Sequence, residues 1–261
     1  VITGLPGNAH GAYLAFLEDS LHPIALGADM CCDSAHKTLP VLTGGAYLHV
    51  GNERFVTDIK RNMALFGSTS PSYLIMASMD LCNKYLAEDF RSDLAETVKR
   101  VSDLKKRLVN LIVPDTEPLK VTFYAYPCGL RGYQLTEQLR RNGIEAEYAD
   151  ETHAVLMFSS SSAEEDFSKT FFEAERLMCP RILLRPPQIE IPEAVRAMSP
   201  REAFFAARET VPIEKASGRI AAESVTVCPP CIPIAAAGEI IDENIIKILK
   251  MYSIFRVNVV Q

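Results

Sequence analysis

The sequence predicts an α/β protein in three parts, residues 1–112, 113–186 and 187–261. Three observations carry that reading. Short apolar segments at 29–33 and 46–50 have strand length and are followed by segments of helical period. Residues 119–185 then alternate strand-like and helix-like stretches. Between the parts, Val113-Pro114-Asp115 and Arg185-Pro186-Pro187 interrupt the pattern, because proline fixes φ and offers no N–H.

The elements follow in order. Asp29–Asp33 and Ala46–Val50 read as strands, with Cys31 and Cys32 as small core hydrophobes. Asn52–Leu65 reads as a helix because Phe55, Ile59 and Met63 recur at helical spacing. The next helix opens at Ser70-Pro71, with Ser70 as its cap, and Leu74, Ala77, Ser78 and Leu81 share one face. A long amphipathic helix covers 90–112, with Leu94, Val98, Val101, Leu104, Leu108 and Leu111 in register and its lysines and arginines on a solvated face. Beyond the first break come a strand at 120–126, a helix at 132–142 stopped by Gly143, strands at 145–148 and 154–158, and a helix at 163–178. The last part holds a helix at 200–209, a Gly218-Arg219 turn and proline-rich strands.

A chain of 261 residues can bury a sizeable core. Its net charge of −6 argues against a nucleic-acid surface and leaves a cationic small molecule electrostatically favoured. No apolar run reaches membrane-spanning length. Seven cysteines in a chain of this size, an odd number, are expected as reduced thiols in the cytoplasm. Cys228 and Cys231 have the spacing of a redox or zinc pair, but no second Cys or His pair lies near them, so no metal is expected.

The chemistry concentrates in Ser34-Ala35-His36-Lys37-Thr38-Leu39-Pro40, between a strand and the Gly44-Gly45 turn. A primary amine beside two hydroxyls and an imidazole suits pyridoxal phosphate: the amine attacks the aldehyde, and the neighbouring donors hold the phosphate. An exposed loop lysine is also compatible with a plain solvated charge. Ser68-Thr69-Ser70 forms a second hydroxyl cluster, placed where a helix N-terminus offers unpaired N–H groups to an anion.

Further segments surround this motif in order. They are Asn8-Ala9-His10-Gly11-Ala12-Tyr13-Leu14, Gly27-Ala28-Asp29, Tyr47-Leu48-His49-Val50 and Ser68-Thr69-Ser70-Pro71-Ser72-Tyr73-Leu74. Near the end come Val211-Pro212-Ile213-Glu214, Gly218-Arg219-Ile220-Ala221-Ala222-Glu223 and Pro229-Pro230-Cys231-Ile232-Pro233. Together they resemble the Orn/Lys/Arg decarboxylase family, pyridoxal-phosphate enzymes of fold type I. The resemblance implies part of the cofactor-binding large domain at 1–112, a small α/β domain at 113–186 and the family's C-terminal domain at 187–261.

It also implies roles. Lys37 maps onto the Schiff-base lysine, and Ser34 and His36 onto phosphate contacts. Ala9 packs on one face of the cofactor ring. His10 lines the site or is a hydrogen-bonded core histidine. Thr69 reaches the phosphate of a partner subunit in a homodimer or larger homo-oligomer. The implied reaction is decarboxylation of lysine, arginine or ornithine to a polyamine-type product and CO2. A carboxylate at Glu214 or Glu223 would meet the basic end of the substrate, while Arg219 and Glu223, four apart, equally suit an ion pair.

Two departures stand beside these expectations. Gly7 falls where the family has the aspartate that keeps the ring nitrogen protonated. The chain also begins beyond the family's glycine-rich phosphate loop and stacking histidine, and so reads as a C-terminal portion. The alternatives are therefore a scaffold that retains the dimer surface without turnover, or another fold-type-I reaction such as transamination.

Overall fold

A computed structural model describes residues 11–114, 116–177, 195–227 and 232–261. The chain divides into two compact units, Val1–Arg185 and Pro186–Gln261.

The first unit opens with a 3-10 turn, Ala12–Phe16, whose Tyr13 and Leu14 are buried. Strands β1 (Met30–Asp33) and β2 (Tyr47–Val50) pair antiparallel, with Met30 opposite Val50 and Asp33 opposite Tyr47. The short helical turn α1 (Ala35–Thr38) follows β1 directly. Ala35 and Leu39 are buried in the unit's core, so α1 is pinned from the inside by two residues four apart. After β2, a 3-10 turn leads into α2 (Val56–Phe66), and α3 (Tyr73–Glu88) and α4 (Phe90–Arg107) follow.

Helix α4 is the spine of the core. Phe90, Leu94, Val101 and Leu104 recur along one stripe and are all buried, and Phe90 meets the rings of Phe16 and Tyr85 edge-on at 5.1 and 5.6 Å. It packs on a three-stranded antiparallel sheet in the order β3-β5-β4 (Lys120–Tyr124, His153–Met157, Tyr148–Ala149). In β3, Val121 and Phe123 point to the core and their neighbours do not, the period-two pattern of a half-covered sheet. Helices α5 (Gly132–Arg141) and α6 (Glu164–Leu177) complete this layer, and Gly143, at φ +71°, ends the α5 segment as its position predicts.

The second unit holds α7 (Pro200–Phe205), β6 (Arg208–Pro212), β7 (Val225–Val227), β8 (Ile232–Ala235), α8 (Glu243–Met251) and β9 (Arg256–Val260). Strands β6 and β9 pair antiparallel, as do β7 and β8. Val211, Ile213, Ile245, Leu249, Val257 and Val259 form a core of its own.

Several elements differ from their sequence expectation. The α3 cap is Ser72, whose hydroxyl accepts from Ile75 N, not Ser70. Helix α4 stops at Arg107, and Ile112 instead bridges Phe123. The expected strand at 145–148 contracts to Tyr148–Ala149. Helix α7 ends at Phe205, and Glu209 belongs to β6, where pairing with Val259 outweighs helical propensity. Cys32 is exposed rather than core, because β1 and β2 form a two-stranded ladder with little behind one face. The Cys228–Cys231 segment lies outside the described residues.

Candidate active site

Lys37 sits on α1, and the local sequence explains its presentation. Ala35 and Thr38 turn inward and Lys37 turns outward, with its side chain 39% exposed. The turn is anchored at its far side by His36, whose Nδ1 lies 3.0 Å from Gly45 O. A Cβ at Gly45 would fall 2.2 Å from Val41 Cγ1, so a larger residue there would require the Val41 side chain to shift.

Ser34 occupies the cap position of α1 but its hydroxyl makes no capping bond. Thr38 Oγ1 is buried without a hydrogen-bond partner, an uncommon state for a hydroxyl. The Lys37 ammonium meets Glu147 Oε1 at 3.4 Å, across 110 positions of sequence. Glu147 lies in the segment leading to β4, so this contact joins the β1–α1 region to the β3-β5-β4 layer. Sequence reading missed Glu147, because a surface-type carboxylate in a short strand segment carries no signal of its own.

Behind α1, the last residue of β1 is Asp33, fully buried. His22 Nε2 approaches its Oδ2 at 2.8 Å and His49 Nε2 at 3.1 Å, while Cys31 Sγ donates to Oδ1 at 3.4 Å. Burial, reinforced by Asp33, pushes the Cys31 thiol up to about 12, so it stays protonated and able to donate. Burial lowers the His49 pKa and outweighs the opposing pull of Asp33, favouring the neutral ring.

The other sequence candidates are distributed as follows. Ala9, His10 and Gly7 lie outside the described residues. Thr69 is exposed in the link between α2 and α3, where Ser70 N donates to Ser68 Oγ at 3.1 Å. Among the described residues it makes no hydrogen bond to Ser34, His36 or Lys37. In the second unit, Glu214 pairs with Lys250 at 3.1 Å, and Glu223 accepts from Asn258 at 2.8 Å and faces Arg208 at 3.4 Å. Arg219 pairs with Glu209, not with Glu223, because residues 219–223 are not helical and spacing by four no longer brings side chains together.

Against known proteins, the family model described as Orn/Lys/Arg decarboxylase, major domain, matches residues 5–125, and the one described as Orn/Lys/Arg decarboxylase, C-terminal domain, matches residues 188–258. The arginine decarboxylase of Bacillus subtilis (strain 168) is 30% identical over 269 residues, covering 94% of this chain and 55% of that protein. The arginine decarboxylase of Halalkalibacterium halodurans is 32% identical over 264 residues, covering 92% of this chain and 53% of its own length. The chain thus spans about half the length of the relatives it matches.

Among solved structures, the constitutive lysine decarboxylase of E. coli superposes with a TM-score of 0.72 at 16% identity, over 98% of this chain and 54% of that one. The lysine decarboxylase of Francisella novicida gives 0.74 at 15% identity, over 98% of this chain and 53% of that one. At that identity the likeness establishes an α/β fold shared with lysine decarboxylases. With both family models matched in order along its length, the chain belongs to the Orn/Lys/Arg decarboxylase family.

Proposed function

We propose that the protein of this chain decarboxylates a basic amino acid with pyridoxal phosphate held at Lys37. One observation carries the reading: a lysine presented outward on a short helical turn, with the Ser34 hydroxyl making no capping bond beside it. The residues present fit that cofactor. Thr38 Oγ1 is an orphaned buried donor, the Ser34 hydroxyl makes no capping bond, and the Lys37 amine is part-exposed, with Glu147 as the partner an aldehyde would have to displace.

Lys37 would hold the cofactor through its amine, and Ser34 and His36 would hold the phosphate. With Nδ1 of His36 engaged by Gly45, its Nε2 is the nitrogen available for that contact. By the family's pattern, Ala9 and His10 would line the ring, and Thr69 would reach the phosphate of a partner subunit. The bound cofactor supplies an electron sink for the pair left when the carboxylate departs as CO2. What this chain adds is position and charge. Glu147 already binds one primary ammonium, that of Lys37, and is the carboxylate we assign to the cationic end of lysine, ornithine or arginine.

A homodimer is part of the same reading. Phe66 at the end of α2 and Tyr73, Leu74 and Leu81 on α3 are 93%, 81%, 75% and 69% exposed, an apolar surface suited to a second copy. Domain boundaries near 112 and 186 and a cytoplasmic location complete the proposal.

A second reading rests on Gly7, which places no carboxylate where the family has one. It is a chain that binds the cofactor without turnover. One experiment separates the two. Pyridoxal phosphate is added, trapped with borohydride and mapped by peptide analysis, and CO2 release from arginine, lysine and ornithine is measured in parallel. Label on Lys37 with CO2 release supports the enzyme. Label without release supports the scaffold. Label on another lysine with Lys37 unmodified refutes both.

A further inference from the structure

The buried carboxylate of Asp33 has no part in the scheme above, yet it is the most unusual group in the first unit. A two-stranded ladder with a thin core would be cheaper to close with an apolar side chain, since burying a charge is costly unless donors surround it. Here three donors do. Cys31 and Asp33 are two apart on β1 and share a face, and His49 of β2 stands opposite Cys31 on that same face. His22 arrives from the segment before β1, which is itself tied back by His22 N to Ser20 Oγ at 3.3 Å and Ser20 Oγ to Leu14 O at 3.2 Å. The two imidazole rings meet edge-on, 4.9 Å apart.

Two imidazoles and a carboxylate within 4.8 Å of one another also have the composition of a metal site. The outer nitrogen of His22 decides against it. Ile24 N–H donates to His22 Nδ1 at 3.3 Å, so Nδ1 carries the lone pair and Nε2 the proton. A metal on Nε2 would require the proton on Nδ1, where it would face another donor. The arrangement is therefore a clasp in which His22 donates to a carboxylate oxygen that His49 Nε2 also faces at 3.1 Å.

We propose that Asp33 is a positioning residue for Lys37. Clasped by His22 and His49, it fixes the direction in which the chain leaves β1, and hence where the turn that begins one residue later holds the lysine amine. Ala35 and Leu39 fix the depth of that turn and His36 fixes its far side; the clasp fixes its entry. The inference rests on the reading of Lys37 as the cofactor lysine, and the test keeps the two apart.

The variants are Asp33→Ala, which removes the acceptor, and Asp33→Asn, which keeps one oxygen able to accept both imidazole N–H groups. Two quantities are measured on the full chain: amide hydrogen exchange across residues 34–39 without cofactor, and the dissociation constant for pyridoxal phosphate. Global stability is followed by urea unfolding, so that only folded protein is compared. In Asp33→Ala, exchange across 34–39 should accelerate and the dissociation constant should rise, each about tenfold, as expected when buried donors lose their acceptor. Asp33→Asn should restore both to within about threefold of the parent, because the hydrogen-bond geometry survives.

If Asp33→Ala does not fold, His49→Ala removes one arm of the clasp at a partly exposed ring, and about a threefold change in both quantities is expected. Unchanged exchange and affinity in the folded alanine variant would overturn the proposal. So would an Asn variant as impaired as Ala, which would show that charge and not geometry matters. One equivalent of zinc bound by the parent and lost in Asp33→Ala would overturn it in favour of a metal site. Failure of pyridoxal phosphate to label Lys37 in the parent, with exchange across 34–39 still dependent on Asp33, would sink the cofactor reading and leave the clasp standing.

Discussion

Strands β1 and β3 are both short, both antiparallel, and both in the first unit, yet they bury opposite kinds of side chain. In β3 the inward residues are Val121 and Phe123, facing α4 across a continuous apolar core. In β1 the one fully buried residue is Asp33, held by imidazoles and a thiol. The helices follow suit. α4 buries its apolar stripe within the chain, whereas α2 buries no residue and α3 only Cys82. A region whose stability comes from packing can be read and perturbed through volume. A region whose buried strand residue is polar is perturbed through its hydrogen bonds instead.

The largest expected effect tests the packed side of this contrast. Phe123→Ala should destabilise the chain by about 3–5 kcal/mol, through lost burial and the cavity left behind. Leu48→Ala, on β2 of the other ladder, removes a side chain that is already exposed and should cost within about 0.5 kcal/mol. Urea unfolding of both variants measures the difference, and similar costs would mean that the two ladders are not built differently.

Hydrogen bonding is not confined to the β1 side, and Asp150 shows how the packed layer uses it. Burial would raise the Asp150 pKa, but N–H groups of Thr152 and His153, helped by the hydroxyls of Thr152 and Tyr148, lower it on balance. A carboxylate with a depressed folded-state pKa contributes stability above its unfolded value and loses it as pH falls through the folded one. The chain should therefore lose stability on the acid side of the ordinary aspartate range. Asp150→Ala should cost about 1–3 kcal/mol at neutral pH and flatten that acid limb. Unfolding curves across pH would check both, and an unflattened limb would assign the acid sensitivity elsewhere.

Glu147 joins the two regions, and its removal should be felt in binding rather than in folding. If Glu147 meets the substrate's cation as proposed, Glu147→Gln should raise KM for a basic amino acid about tenfold with a smaller change in kcat, the signature of a lost uniform binding contact. Steady-state kinetics decide this, and an unchanged KM would place the substrate's cation elsewhere. Its ion pair with Lys37 is part-exposed, so stability should move by less than about 1 kcal/mol.

The same contrast explains what the sequence could and could not reveal. The cores of α4, β3, α5 and α6 were legible because their apolar residues recur at 3.6 or 2 and the chain itself covers them. The turn bearing Lys37 was legible as a motif of adjacent residues. Asp33 was not, because nothing local distinguishes a buried aspartate from a surface one; its burial follows from His22 and His49, eleven residues before and sixteen after it. Glu147 was invisible for the same reason at longer range. Helix α8, with Ile245, Ile246, Ile248 and Leu249 buried and an Asp242 cap accepting from Ile245 N, stands outside the proline-rich strands expected for this part.

The smallest effect on folding is expected where the bare face is largest. Leu74 is 75% exposed on α3, beside Tyr73 and in the same helix as the exposed Met76 and Leu81. Leu74→Glu removes no packing within the chain and should change the stability of the monomer by at most about 0.5 kcal/mol. At the centre of a self-complementary surface, however, two copies would bring two carboxylates into apolar contact, an arrangement that opposes association. Sedimentation should show the parent as a dimer and Leu74→Glu as a monomer at the same concentration, with matching urea midpoints extrapolated to low concentration. If the variant stays dimeric, the apolar face of α3 is not the interface. If instead it unfolds, Leu74 is packed within the chain, and α3 resembles α4 after all.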